Sequence, residues 1–128
     1  MGKTEKEIKE RLYALGADLC GIAGIDRFDG APEGYHPRDV LPSCQSVIVF
    51  ACRFPAGTLA CGSGVPYTVV RNILSDKMDK MAVQFCADME KLHILAVPIR
   101  TNGAERDKKT GRWRSIVSVK HAAQAAGL

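Results

Sequence analysis

The stretch Gln45-Ser46-Val47-Ile48-Val49-Phe50-Ala51-Cys52 constrains the fold most. It is densely apolar, rich in β-branched and aromatic residues, and too short for an amphipathic surface helix. Pro42-Ser43 precedes it and Pro55-Ala56-Gly57 closes it. Such a run predicts a central strand with both faces covered, as in a mostly parallel sheet. A helix there would need longer periodic flanks, which are missing.

A chain of 128 residues predicts one domain, large enough to bury roughly two-thirds of its unfolded surface. The net charge of +4 permits an anionic partner without the basic stripe of a dedicated nucleic-acid binder. Five cysteines are present, and Cys20, Cys52 and Cys86 fall inside apolar periodic segments, where they read as small core residues. The polar N-terminus carries no secretory signal, and no apolar run reaches the length of a membrane span. A reducing, cytoplasmic location is expected. Met1-Gly2-Lys3-Thr4 opens like a myristoylation signal, but Lys6 stands where Ser or Thr belongs.

Thr4 and Glu7 form a capping box for a first helix. Ile8, Leu12 and Leu15 give its buried stripe and Gly16 its left-handed stop. Residues 18–25 read as a short strand whose Gly21 and Gly24 imply close approach by a neighbour or ligand. Residues 26–42 are a long loop with at most one helical turn at 37–41. After the central strand and a glycine-rich connection at 57–64, a long helix is predicted over 66–91. Its stripe is Val70, Leu74, Met78, Met81, Phe85, Met89 and Leu92, with Asp76, Lys77, Asp79, Lys80, Asp88 and Lys91 on the other face. The three methionines suit an adaptable groove, but a plain core face is the simpler reading. His93 to Ile99 reads as a third strand, which makes strand–helix–strand a right-handed crossover. A polar flexible loop or hairpin tip over 101–112, a brief fourth strand at 113–117 and a short helix capped by Ser118 and stopped at Gly127 complete an α/β fold. The expected sheet is mixed, with three to four strands.

Few patterns carry chemistry on their own. Successive cysteines lie 24, 8, 9 and 25 residues apart, which offers no iron–sulfur cradle. Cys44, Cys52, Cys61 and His36 match no standard zinc spacing. Cys61-Gly62-Ser63-Gly64 before a helix could turn N–H groups toward a phosphate, yet it lacks the Lys-Ser/Thr of a P-loop and reads first as a connector. Lys108, Lys109, Arg112 and Arg114 flank Trp113, a pattern that grips RNA, although Glu105 and Asp107 beside them suit a solvated loop. His36, His93 and His121 are scattered, and no catalytic triad can be built from them.

Four segments together carry a resemblance. Ser118-Val119-Lys120-His121-Ala122-Ala123-Gln124-Ala125-Ala126-Gly127-Leu128 resembles the S-x-K-x-A-A-x-x-A-G-L-G segment of the epoxyqueuosine reductase family. Leu15 to Ala23 is similar to its LGxDxxGIA opening, Leu41 to Val49 to its LPGxxSVIV, and Pro66-Tyr67 to its RY segment. The resemblance spans essentially the whole chain. It implies kinship with iron–sulfur, cobalamin-dependent reductases related to reductive dehalogenases, which use cobalamin and two 4Fe–4S clusters. Where the family continues its tyrosine segment with Gly-Arg-Asp-Tyr-His, this chain has Val70-Arg71-Asn72-Ile73-Leu74. The family's aspartate upstream of A-G-L-G has no counterpart at Trp113-Arg114-Ser115. These departures mark a paralogue and count against tRNA as substrate.

The resemblance implies an N-terminal α/β domain, a fragment or truncated form, without the ferredoxin-like half and its cysteine quartets. Such a chain would contribute part of a corrinoid and substrate pocket, hold no cofactor or metal alone, and be inactive alone. The candidate cofactor-facing positions are Gly21, Gly24, Gly62, Gly64 and Tyr67, with Lys120 and His121 of the C-terminal motif. A homodimer is expected, through apolar surface meant for the missing half, such as Ala122, Ala123, Ala125 and Ala126. The competing reading is a small non-enzymatic module that uses the basic loop 108–114 for RNA or a protein partner.

Overall fold

The computed structural model describes residues 4–101, 105–106, 109–114 and 119–128. Helix α1 spans Glu5–Leu15. Its start is fixed by the Thr4 side chain, which accepts from the Glu7 N–H, while the Glu7 carboxylate accepts from the Thr4 N–H, each at 3.2 Å. It ends where Gly16 turns left-handed at φ 116°, a conformation that costs glycine little.

Strand β1, Leu19–Gly24, pairs antiparallel with β2, Ser46–Ala51, so that Leu19 faces Ala51 and Gly24 faces Ser46. The expected strand therefore exists, but among the described residues it is an edge of a two-stranded antiparallel sheet and not the centre of a parallel one. Its dense apolarity has another origin. Cys20, Ile48, Phe50 and Cys52 pack against α1 and the long helix α4, Val65–Glu90, on one face. Ala23, Val47 and Val49 pack on the other against α5, Val119–Ala125. Helices lie against both faces and leave the β2 side chains half-buried, so the strand needs apolar residues on both whatever its pairing direction.

Between β1 and β2 lie a 3-10 turn, Ile25–Phe28, and the single turn α2, Pro37–Val40, as the loop reading allows. After β2 comes one more turn, α3, Ala56–Leu59. A separate antiparallel ribbon joins β3, Glu105–Arg106, to β4, Trp113–Arg114. This is the expected hairpin. Residues 115–117 of the expected fourth strand and the Ser118 cap lie outside the described residues.

The core stripe of α4 holds in its second half, where Met81, Phe85 and Met89 are buried. Leu92 is exposed, and Val70, Leu74 and Met78 are only partly covered. In the first half, Val65, Val69 and Ile73 form a second apolar row, all exposed, outside the core stripe. Two of the acidic residues assigned to the solvent face are partnered by groups outside the helix. Arg11 pairs with Asp88, tying α1 to α4. Asp79 accepts from the Thr101 N–H at 2.9 Å and the Thr101 hydroxyl at 2.8 Å.

The end of α4 is closed by a Schellman turn. The Ile94 N–H reaches Met89 O at 3.0 Å and the His93 N–H reaches Glu90 O at 2.9 Å. His93 takes the left-handed position at φ 62°, where glycine is usual. Ile94 then packs in the cluster that contains Met89, completing the motif's apolar contact. Residues 93–99, expected to be a third strand, run on without ladder pairing to β2 among the described residues.

Candidate functional site

Gly21 lies in the middle of β1 on the α5 face. A Cβ there would collide with the Ala126 carbonyl oxygen and lie 3.0 Å from the Ala126 Cβ. The close approach expected at this glycine is therefore made by the backbone just beyond α5. The Arg27 guanidinium donates to the Ala125 carbonyl at 2.8 Å, placing a cation at the negative end of that helix. Ala122 is buried with Ala23 and Phe28, and Ala125 and Ala126 pack around them. The alanine-rich face offered above as a dimer surface is thus turned onto the sheet. Lys120 and His121 stand exposed in the first turn of α5.

Gly24 closes β1 opposite Ser46, and a Cβ there would meet the Asp26 carboxylate at 2.6 Å. Gly62 and Gly64 lie past the other end of the sheet, before α4, with open space where a side chain would stand. Tyr67, in the first turn of α4, stacks on Phe54 with ring centroids 5.0 Å apart. The strand between Leu19 and Gly24 spans roughly 17 Å at about 3.3 Å per residue. Gly24 and the Gly62, Gly64 and Tyr67 group therefore sit at opposite ends of β1–β2. The seven candidates form an α5-side group and an α4-start group, with Gly24 apart from the second.

The thiols are dispersed too. Cys20 points its Sγ at Lys9 O, Cys44 at Ser46 O and Cys52 at Gly16 O, at 4.0, 3.3 and 3.7 Å. Burial pushes the Cys52 and Cys86 thiols up from their ordinary value, which disfavours the thiolate form. Among the described residues no group of three or more His, Cys, Asp or Glu side chains could hold a metal ion. A shallow groove between the end of α1 and the middle of α4 has Leu15, Ile73 and Met81 beside Asp76, Lys77 and Lys80. It is too open to exclude water from a reacting group.

No family model, curated protein or solved structure matches this chain. Among the described residues no helix is long and apolar enough to cross a membrane.

Three contacts that organise this geometry escaped the sequence reading. Arg27 and Ala125 are 98 residues apart, and no local pattern links them. Phe54 follows a strand and precedes a proline, which reads as a loop. Asp79 falls among charged neighbours on the helical wheel, so nothing marked it as a carboxylate with buried work. Burial pushes its pKa up, but the bonds from the Thr101 N–H and hydroxyl and from Arg100 outweigh that and hold it below the usual carboxylate range.

Proposed function

We propose that this chain is the N-terminal α/β part of an epoxyqueuosine-reductase-like iron–sulfur oxidoreductase in the cytoplasm. In that role it contributes one wall of a corrinoid and substrate pocket. The carrying observation is the contact of Gly21 with Ala126. It joins two of the four segments of resemblance, from opposite ends of the chain, at a point where only glycine fits. The exposed row Val65, Val69 and Ile73 supports the same reading. Exposed apolar residues outside the core stripe suit a helix that a partner surface covers.

In this reading the corrinoid and the clusters supply the redox chemistry, and this chain binds and orients. The open backbone at Gly62 and Gly64, with the phenol ring of Tyr67, is the surface offered to the cofactor. The sheet reaches three strands when residues 94–99 join β2, and four if 113–117 adds a further pair. The chain pairs with itself through the exposed α4 row, and light scattering of a monomer at high micromolar concentration would count against that.

Equilibrium dialysis against hydroxocobalamin tests the pocket. Saturable retention, weakened by Tyr67→Ala, is expected. No retention up to about 1 mM, a binding energy below about 4 kcal/mol, overturns the reading. Anaerobic reconstitution should leave the chain colourless and free of iron, and a full cluster per chain would show that the dispersed cysteines are ligands after all.

A further inference from the structure

The arm that follows α4 is tied at both ends and open between them. At one end the Ile94 N–H is held by Met89 O. At the other, Asp79 holds the N–H and hydroxyl of Thr101, and Arg100 Nε lies 3.4 Å from the same carboxylate. Among the described residues, the N–H groups of Leu95, Ala96, Val97, Ile99 and Arg100 make no hydrogen bond. Yet residues 94–97 already alternate like a strand. Ile94 and Ala96 pack into the cluster that holds Ile48, Phe50 and Cys52 of the β2 side, while Leu95 is 70% and Val97 46% exposed. Among the described residues β2 has a paired neighbour on one side only.

Direction follows from contacts at the two ends of α4. Phe54, just past β2, stacks on Tyr67 in the first turn of α4, so the helix starts where β2 ends. The arm leaves the far end of α4 at Met89 and returns as far as Asp79. It thus runs with β2. A parallel pair joined through a helix is the expected crossover.

We propose that this arm is a strap that closes onto the free edge of β2 as a parallel third strand, with the N–H groups of Leu95, Val97 and Ile99 turned toward β2. Pro98 decides which set of amides faces inward. Alternate residues of a strand direct their N–H groups to opposite sides, and a proline within a sheet keeps its ring nitrogen on the outer edge. Pro98 outward puts Ala96 and Ile94 outward as well, and the Ile94 N–H is already engaged in the Schellman turn. The odd-numbered amides are the ones left to pair. Closure also sets Leu95 and Val97 beside Val47 and Val49, on the face that α5 covers. Proline on the outer edge then blunts it against further strands. The proposal rests on the three-stranded reading of the sheet given above and is independent of the corrinoid.

Residue-resolved amide exchange by NMR on the labelled chain, at two protein concentrations, tests it without any ligand. Slow exchange at Ile94 and Thr101, whose acceptors exist before closure, certifies a folded chain. The expected result is slowing by at least about tenfold at Leu95, Val97 and Ile99 but not at Ala96 or Arg100, equal at both concentrations. Fast exchange at all five overturns the proposal, and so does protection of Ala96 and Arg100. Protection that appears only at the higher concentration overturns it too, because a second chain would then be the partner. Failure of corrinoid retention leaves this pattern untouched, so the two readings fail separately.

Discussion

Replacing Phe85 by alanine is the sharpest test of how this chain holds together. Phe85 is 5% exposed, in the middle of the buried row Met81, Phe85 and Met89, and its cluster includes Leu12 of α1 and Cys20 of β1. Phe85→Ala removes the ring where helix, helix and sheet meet. The surroundings are tied by the Arg11–Asp88 ion pair and the Schellman turn and cannot simply collapse inward. A cost of about 3–5 kcal/mol is expected, out of the roughly 5–15 kcal/mol that holds a domain folded. Lys80→Ala is the control on the same helix. Its side chain is 78% exposed, and its partner Asp76 at 3.0 Å is exposed as well, so the change should stay within about 0.5 kcal/mol. Urea denaturation followed by helical circular dichroism measures both. With a slope of about 2 kcal/mol per molar, Phe85→Ala should lower the midpoint by roughly 1.5–2.5 M. Coinciding midpoints for Phe85→Ala and the wild type would mean that the methionine row faces water or a groove, and the core assigned here would be wrong.

Other expectations follow from single contacts. His93→Gly relieves a left-handed histidine and should stabilise by about 0.5–1 kcal/mol, read as a melting temperature a few degrees higher, and a lower one would count against the Schellman description. Gly21→Ala should cost about 1–3 kcal/mol and speed amide exchange in α5 while sparing α1. The Asp79 and Asp88 carboxyls are both held low in the folded chain. Asp88 owes this first to Arg11 and then to Gln84, and Asp79 to Thr101 and Arg100 against the push of burial. Protons therefore bind the unfolded chain first. The stability these groups add is complete above about pH 4 and disappears as pH falls through their lower folded values. Acid titration of Asp79→Asn should show a shallower loss below about pH 4 than the wild type, and an unchanged acid limb would refute a stabilising role for the Asp79–Thr101 contact.

What was legible in the sequence was mostly short-range. Thr4, Glu7 and Gly16 bound α1 through groups at most a few residues away, and all three appear where the pattern puts them. The row Met81, Phe85 and Met89 was readable because helical period is a local property. Strand direction was not. The apolarity of Val47 to Phe50 reports that two faces are covered, and it is the same for a parallel and an antiparallel neighbour. The alanines of α5 look like an interface and are one, but the sheet of their own chain takes them. Of the candidate site, Gly21 was legible as a point of close approach, while the identity of the approaching group, a carbonyl from the other end of the chain, was not.

The attachment of α5 bears on the order in which the chain assembles. Helix α1 can form from its own caps, and β1 needs only the closure of a loop of about 20 residues to meet β2. The Arg27 to Ala125 contact closes 98 residues, and the entropy of that larger loop exceeds the smaller by roughly 1.4 kcal/mol, at about 0.6 per doubling. The buried contact that opposes this is small, chiefly Ala23, Phe28 and Ala122. Helix α5 should therefore be the last element to arrive during folding and the first to leave during unfolding. The sheet face beneath it would then open to solvent while the α1–α4 side of the molecule is still intact.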